Sequence, residues 1–275
     1  MNLKSVMIAG IGLAALGVSA GTPVKSLKLL AIGNSFTWSA AAYLPEVAKS
    51  AGCELIFEQA SLAGCNLKRH WELAEKSDAD PNFKPYEEKG VGKFSLKEKL
   101  ASREWDVVTI QQASYESWIA ASYNPYAENL VAYIRRHAPK AEIVIQQTWS
   151  YRPGEKRLEQ WKIDSDTMYR ELTACYAALA ERFKLRLIPT GLAVQIVRMS
   201  SIGSFPELEM IATDNCHLSK QGQYLQACVW FSMLFNRPVS EIAFAPPELS
   251  AAQAGYLRAC AKASIETMPQ HNKAE

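Results

Sequence analysis

Five short apolar runs punctuate the chain, at residues 28–32, 54–58, 106–111, 142–147 and 186–189. Most are rich in Ile, Val and Leu without clean alternation of apolar and polar positions. That pattern suits strands of a parallel sheet covered on both faces. Between and after the runs lie stretches that read as helices, at 40–51, 67–76, 95–102, 125–137, 164–183, 219–235 and 250–267. In the fourth of these, Leu130, Val131 and Ile134 share a face and Pro139 ends the pattern. Ser219 and Ser250 stand where N-caps are expected. Pro45 falls inside the first stretch, so that helix either kinks or restarts with proline in its first turn.

Strands alternating with helices predict right-handed βαβ units. The expected fold is α/β: a three-layer α/β/α sandwich around a five-stranded parallel sheet. Its expected strand order is the flavodoxin-like 2-1-3-4-5, by analogy with other doubly wound sheets. Residues 78–92 are polar and hold Pro81, Pro85, Gly90 and Gly92, which marks an excursion from the sandwich. Residues 152–163 and 200–213 read as surface loops that could shape a cleft.

The N-terminal stretch stands apart. Lys4 is followed by an almost wholly apolar run at 6–18 and by Val18-Ser19-Ala20, a small-residue cleavage pattern. Residues 1–20 are therefore expected to be a secretory signal peptide and 21–275 a single domain. The run is shorter than the roughly 20 residues a membrane span needs. The expectation is an exported protein, periplasmic or extracellular, with no stable membrane insertion after cleavage. A net charge of +2 with interspersed signs gives no reason to expect nucleic acid as a partner. The cluster Arg135-Arg136-His137 ends a helical stretch, where cations complement the macrodipole.

Six cysteines are present and none forms a C-x-x-C pair, which argues against a zinc ribbon or a thioredoxin-like motif. An even count in an exported protein permits disulfides. Cys175, Cys228 and Cys260 fall in helical stretches and read as buried thiols, whereas Cys65 and Cys216 each adjoin a candidate site residue. A Cys65–Cys216 bridge is one expectation to test.

Ligands of open α/β sheets bind beyond the carboxyl ends of the strands, so the residues after each run carry the candidate chemistry. The first run leads into Gly33-Asn34-Ser35-Phe36-Thr37, the second into Ser61-Leu62-Ala63-Gly64-Cys65-Asn66. The third leads into Gln112-Ala113-Ser114 and the fourth into Thr148-Trp149-Ser150-Tyr151. One further helix after the fifth run comes Asp214-Asn215-Cys216-His217. A serine hydroxyl is a poor nucleophile until a base takes its proton. Of His70, His137, His217 and His271, only His217 has a carboxylate three residues upstream in an apparent loop. That spacing lets Asp214 orient one ring nitrogen while the other faces Ser35. The blander alternative is that Asp214 caps the helix starting near Ser219. Ser35 N–H and Gly64 are candidate oxyanion donors, since glycine permits close approach of backbone to substrate.

These positions resemble the SGNH, or GDSL-like, hydrolase superfamily. Gly33-Asn34-Ser35 looks like its Gly-Asp-Ser block, with Asn34 in place of Asp, Gly64 like its second-block glycine, and Asp214-Asn215-Cys216-His217 like its final Asp-x-x-His. Ile32 to Phe36, Gly64-Cys65, His70-Trp71, Ile110-Gln111-Gln112 and Gln147-Thr148-Trp149 look like a bacterial branch catalogued as a domain of unknown function. The resemblance spans roughly residues 28–235. It implies a serine esterase with catalytic Ser35, His217 and Asp214, an acyl-enzyme intermediate, and no metal or organic cofactor. The third block departs from the family's Gly-x-Asn-Asp, and Gln112 is the expected replacement for the oxyanion asparagine, with Gln111 and Ser114 as alternatives. Asn34, Ser114 and Trp149 are the expected substrate-binding residues, Trp149 as a platform for a sugar ring. Export and aromatic content direct the substrate expectation to a small-molecule or glycan ester, above all O-acetylated carbohydrate. A lipid ester or thioester, or a non-catalytic carbohydrate-binding role, are the competing readings.

Overall fold

The protein is described by a computed structural model covering residues 23–268; the expected signal peptide and His271 lie outside the described residues. Seven strands form: β1 (Ser26–Gly33), β2 (Glu54–Ser61), β3 (Tyr86–Glu88), β4 (Gly92–Phe94), β5 (Val107–Ile110), β6 (Glu142–Gln146) and β7 (Arg186–Ile188). The helices are α1 (Ser35–Ala41), α2 (Leu44–Ser50), α3 (Leu67–Ala79), α4 (Leu96–Ala101), α5 (Tyr126–His137), α6 (Lys156–Trp161), α7 (Ser165–Phe183), α8 (Thr190–Ser204), α9 (Lys220–Phe235) and α10 (Ala251–Thr267).

Five strands build one parallel sheet in the order β2-β1-β5-β6-β7. This is the expected order, with the β3–β4 hairpin set apart as its own antiparallel pair. The central strands are covered on both faces: Leu29, Leu30, Ala31, Val108, Val144 and Ile145 are all fully buried. Each leucine, valine or isoleucine among them contributes about 1.5–3 kcal/mol on leaving water. The absence of alternation in the sequence follows from this double coverage. Edge strand β2 is only half-buried, and Ile56 remains exposed.

Helices α1, α2, α8, α9 and α10 pack together as one layer, while α3, α4 and α5 pack together as another. Helix α9 is buried on nearly every side, because it contacts α1, α2, α8 and α10 as well as β7. Its apolar residues run all round, as a fully enclosed helix requires. Ser219 and Ser250 cap α9 and α10 by accepting from Gly222 N–H and Gln253 N–H.

Three boundaries differ from the sequence reading. The expected 40–51 helix is two helices, with Pro45 in the first turn of α2, so the restart is the form adopted. The expected loop at 200–213 begins inside α8, which runs to Ser204, and 152–163 contains the one-turn-and-a-half α6. The polar excursion holds the β3–β4 hairpin. It is pinned by the buried Lys99 ammonium, which donates to Glu88 at 2.5 Å and to Glu58 of β2 at 2.7 Å. Such long-range pairs leave no periodic trace in sequence. All six cysteines are free, so the expected Cys65–Cys216 bridge is not made.

Candidate active site

The register aligns Gly33 of β1 with Ser61 of β2, and Ile32 with Ile110 of β5, so the strand ends share one rim. Ser35 opens α1 immediately beyond β1. Asn34 makes the turn: its Oδ1 accepts from Phe36 N–H at 3.0 Å as the helix N-cap. Gln111 donates to that same oxygen at 2.8 Å, and Asn34 Nδ2 donates to the Cys65 carbonyl at 2.9 Å. One buried amide therefore ties the loops after β1, β2 and β5 together. A side chain at Gly33 would place its Cβ 2.2 Å from Thr37 Oγ1, so the glycine is required by close approach.

Behind this turn stands His70, fully buried on α3. Its Nε2–H donates to the Gly33 carbonyl at 3.0 Å and its Nδ1 accepts from the Tyr86 hydroxyl at 2.8 Å. Burial pushes its pKa down from 6.5 to about 4. Unfolded chains take up this proton below about pH 6.5, whereas the folded protein resists until about pH 4. Stability is therefore full above pH 6.5 and falls as the pH drops towards 4, by about 3 kcal/mol from this group. Urea midpoints at pH 7 and pH 4.5 check this: the acid loss should shrink by that share in His70→Gln relative to wild type.

The loop 212–217 brings in the other half of the site. It is closed by Ala212 N–H to His217 O at 2.8 Å and by Asn215 N–H to Ala212 O at 3.0 Å. Asn215 takes the left-handed conformation, φ 64°, which asparagine tolerates better than most residues. Asp214 accepts from Cys216 N–H at 3.0 Å and His217 N–H at 2.9 Å through Oδ1, and from His217 Nδ1 at 2.6 Å through Oδ2. It does not cap α9, whose cap is Ser219. Burial works against its charge, but the N–H donors and the imidazole hold its pKa down to about 2.

His217 Nε2 lies 2.8 Å from Ser35 Oγ, 182 residues away in sequence. With Asp214 taking the Nδ1 proton, Nε2 is free to accept from the serine hydroxyl. The Cys216 sulfur, 3.4 Å from Nδ1, and the Asp214 carboxylate raise the imidazole pKa to about 9, with burial opposing them. The structure brings together Ser35, His217 and Asp214, the three residues put forward from the sequence, as one hydroxyl–imidazole–carboxylate chain. Asp214, Cys216 and His217 also carry ligand atoms within 4.8 Å of one another, a set able to hold a soft divalent ion. Such an ion would compete for the nitrogen that Asp214 uses.

A cavity of about 590 Å³ opens over Ser35 and His217, with Gly64 and Ser114 on its wall. Gly64 has φ +59°, and its carbonyl accepts from the Tyr115 hydroxyl at 3.0 Å, which holds the turn after β2. Ser114 Oγ pairs with the Tyr151 hydroxyl at 2.8 Å.

Three sequence expectations need correction. Gln112 is fully buried and off the cavity wall: its Oε1 accepts from Leu67 and Ala113 N–H, and its Nε2 donates to Ser122. Its amide is spent on joining α3 to the loop after β5, so it is no oxyanion donor; Gln111 is likewise spent on Asn34 and Thr37. Asn34 touches the cavity, but its amide is committed to the protein rather than to a substrate. Trp149 is fully buried, stacked on Phe36 at 4.2 Å and donating to the Cys216 carbonyl at 2.8 Å. It is a staple between the two halves of the site and presents no face to a sugar. The aromatic residues on the cavity are Phe36, Trp38, Tyr115 and Tyr151, joined by Arg157 and Gln223. Tyr151 was visible in sequence as a residue following β6; nothing in the sequence singled out Arg157, which arrives on α6.

A family described as a domain of unknown function, DUF4886, matches residues 28–264, and the chain belongs to it. No curated protein matches the chain. A DUF4886 protein of known structure from Bacteroides uniformis is 28% identical, with a TM-score of 0.77 over 88% of this chain and 95% of that one. A protein assigned to the SGNH hydrolases, from Slackia heliotrinireducens, is 22% identical, with a TM-score of 0.55 over 76% of this chain and 99% of its own. An acetylxylan esterase from Geobacillus stearothermophilus is 15% identical, with a TM-score of 0.50 over 82% and 98% of the two chains. The α/β/α fold is that of the SGNH hydrolases, as the motifs implied.

Proposed function

We propose that the protein is a serine esterase that removes acetyl groups from O-acetylated carbohydrate. The observation that carries this reading is the continuous chain from Ser35 Oγ to His217 Nε2 at 2.8 Å and from Nδ1 to Asp214 at 2.6 Å. Ser35 attacks the ester carbonyl while His217 takes its proton and Asp214 stabilises the imidazolium. The backbone N–H groups of Ser35 and Gly64 receive the developing oxyanion, and the Ser114 hydroxyl, polarised by Tyr151, takes the place of the family's asparagine. Collapse expels the alcohol, which takes the proton from His217, and water then releases acetate by the same base. The exposed aromatic side chains Trp38 and Tyr115 on the cavity suit the faces of a sugar ring. The acetyl group is chosen because an acetylxylan esterase is built on the same fold.

Acetate release from a panel of acetylated glycans, measured for wild type and Ser35→Ala side by side, tests the reading. A response confined to short chromogenic esters would remove the sugar. The pH profile is a second test. Only neutral imidazole accepts the serine proton, so kcat/KM should climb with pH until His217 is deprotonated near 9. In Cys216→Ala one raising contact is gone, and this limb should move to lower pH. Removing the Ser114 hydroxyl, as alanine, should lower kcat about 10–100-fold with little change in KM, less than the 10²–10³ typical of a principal oxyanion donor. We also infer export, from Lys4, the apolar run at 6–18 and the small residues before Gly21. N-terminal sequencing of the expressed protein should then find Gly21 first.

A further inference from the structure

Among the described residues, Arg157, the second residue of α6, is the one lysine or arginine lining the cavity over Ser35, and neither aspartate nor glutamate lines it. Its guanidinium is anchored on an edge and a face. Nε–H donates to the buried Glu155 carboxylate at 2.7 Å, and the plane lies over the Tyr151 ring at 4.4 Å. It lines the cavity together with Cys216 and His217. A guanidinium carries five N–H donors in a planar fork, so this anchoring fixes its orientation and leaves donors for a ligand. The side chain is 37% exposed, against 11% for Glu155.

We propose that Arg157 is a subsite for a carboxylate on the alcohol half of the ester, which makes O-acetylated acidic sugars, such as acetylated uronic acids, the preferred substrates. This deepens the esterase reading above and rests on it. The side of the substrate follows from the chemistry. His217 returns its proton to the departing alkoxide, so the sugar stands on the imidazole side. Arg157 shares the cavity wall with Ser35 and His217, and an acetyl group carries no carboxylate, so one that meets the guanidinium belongs to the sugar. A guanidinium fork and a carboxylate match as a bidentate, charge-assisted pair.

The test compares kcat/KM for an acetylated methyl glucuronide and the methyl glucoside acetylated at the same hydroxyl. The wild type should favour the glucuronide about 10–100-fold, the worth of a hydrogen-bonded charge pair. That ratio should fall to near one in Arg157→Gln, stay intermediate in Arg157→Lys, and shrink with added salt. Taking the ratio within each variant cancels any damage to the base, since both substrates use Ser35 and His217. A negative charge on the acyl half, as in 4-nitrophenyl hemisuccinate against 4-nitrophenyl acetate, should bring no advantage. A wild-type ratio near one, a ratio unchanged in Arg157→Gln, or a preference for the hemisuccinate would each overturn the proposal. Hydrolysis of 4-nitrophenyl acetate by Ser35→Ala separates the two levels. If that activity is lost while the glucuronide has no advantage, only the Arg157 subsite fails; if it persists, the esterase reading fails as well.

Discussion

Ser35→Ala is expected to lower kcat for ester hydrolysis about 10⁴–10⁶-fold while the fold stays intact. In the proposed mechanism the hydroxyl is the group that forms the acyl bond, and among the described residues no neighbouring side chain offers a substitute with the same geometry. Cys216 is the closest thiol to the imidazole, but it sits at Nδ1, on the Asp214 side, 3.4 Å from that nitrogen, and not at Nε2 where the serine is. The residual rate would come from the oxyanion donors and from binding, which the alanine leaves in place. Stability should change little, because Ser35 is only partly buried and its helix is capped by Asn34. Initial rates on 4-nitrophenyl acetate, with circular dichroism to verify the fold, decide the matter. Activity within tenfold of wild type would remove Ser35 as nucleophile.

Trp149→Ala should cost about 3–5 kcal/mol of stability, the range for deleting a buried aromatic ring. For a domain of this size that corresponds to a fall in Tm of roughly 6–20 °C. The ring fills the space against Phe36, and its N–H satisfies the Cys216 carbonyl. Phe36 follows the nucleophile and Cys216 precedes the base, so the same deletion loosens both sides of the 2.8 Å contact. Loss of about 1 Å in alignment is enough to cost about 100-fold in rate. Trp149→Phe separates the two contributions: it retains most of the stack and loses only the N–H donor. Thermal melts and kcat, measured together, should rank wild type above Trp149→Phe and that above Trp149→Ala in both quantities.

Much of the fold was legible because double-faced burial writes itself into composition. Strands that must be apolar on both sides become continuous runs of Ile, Val and Leu, and the two helices after the last strand carry serine caps at Ser219 and Ser250. The hydroxyl, imidazole and carboxylate were legible for a related reason: each follows a strand or sits in a loop beyond the sheet, where α/β folds gather their polar chemistry. The aromatic and amide residues were misread because their roles depend on partners far along the chain. Gln112 and Trp149 both follow strand ends, as Ser114 and Tyr151 do, and composition does not distinguish an amide turned towards Leu67 from one turned towards a substrate. Arg157 carried no signal at all, since a cation in a polar stretch normally reads as a solvated surface.

The sequence by itself determined the layer architecture and which side chains lie beyond the strand ends, because local periodicity and the rule for strand ends depend on near neighbours; the strand order came by analogy with other doubly wound sheets. Tertiary structure alone decided which polar groups face the cavity. That choice rests on which buried donors and acceptors must be satisfied first. Asn34, Gln111, Gln112 and Trp149 are taken up by the scaffold's own hydrogen bonds, and Arg157 is left partly exposed on the cavity wall.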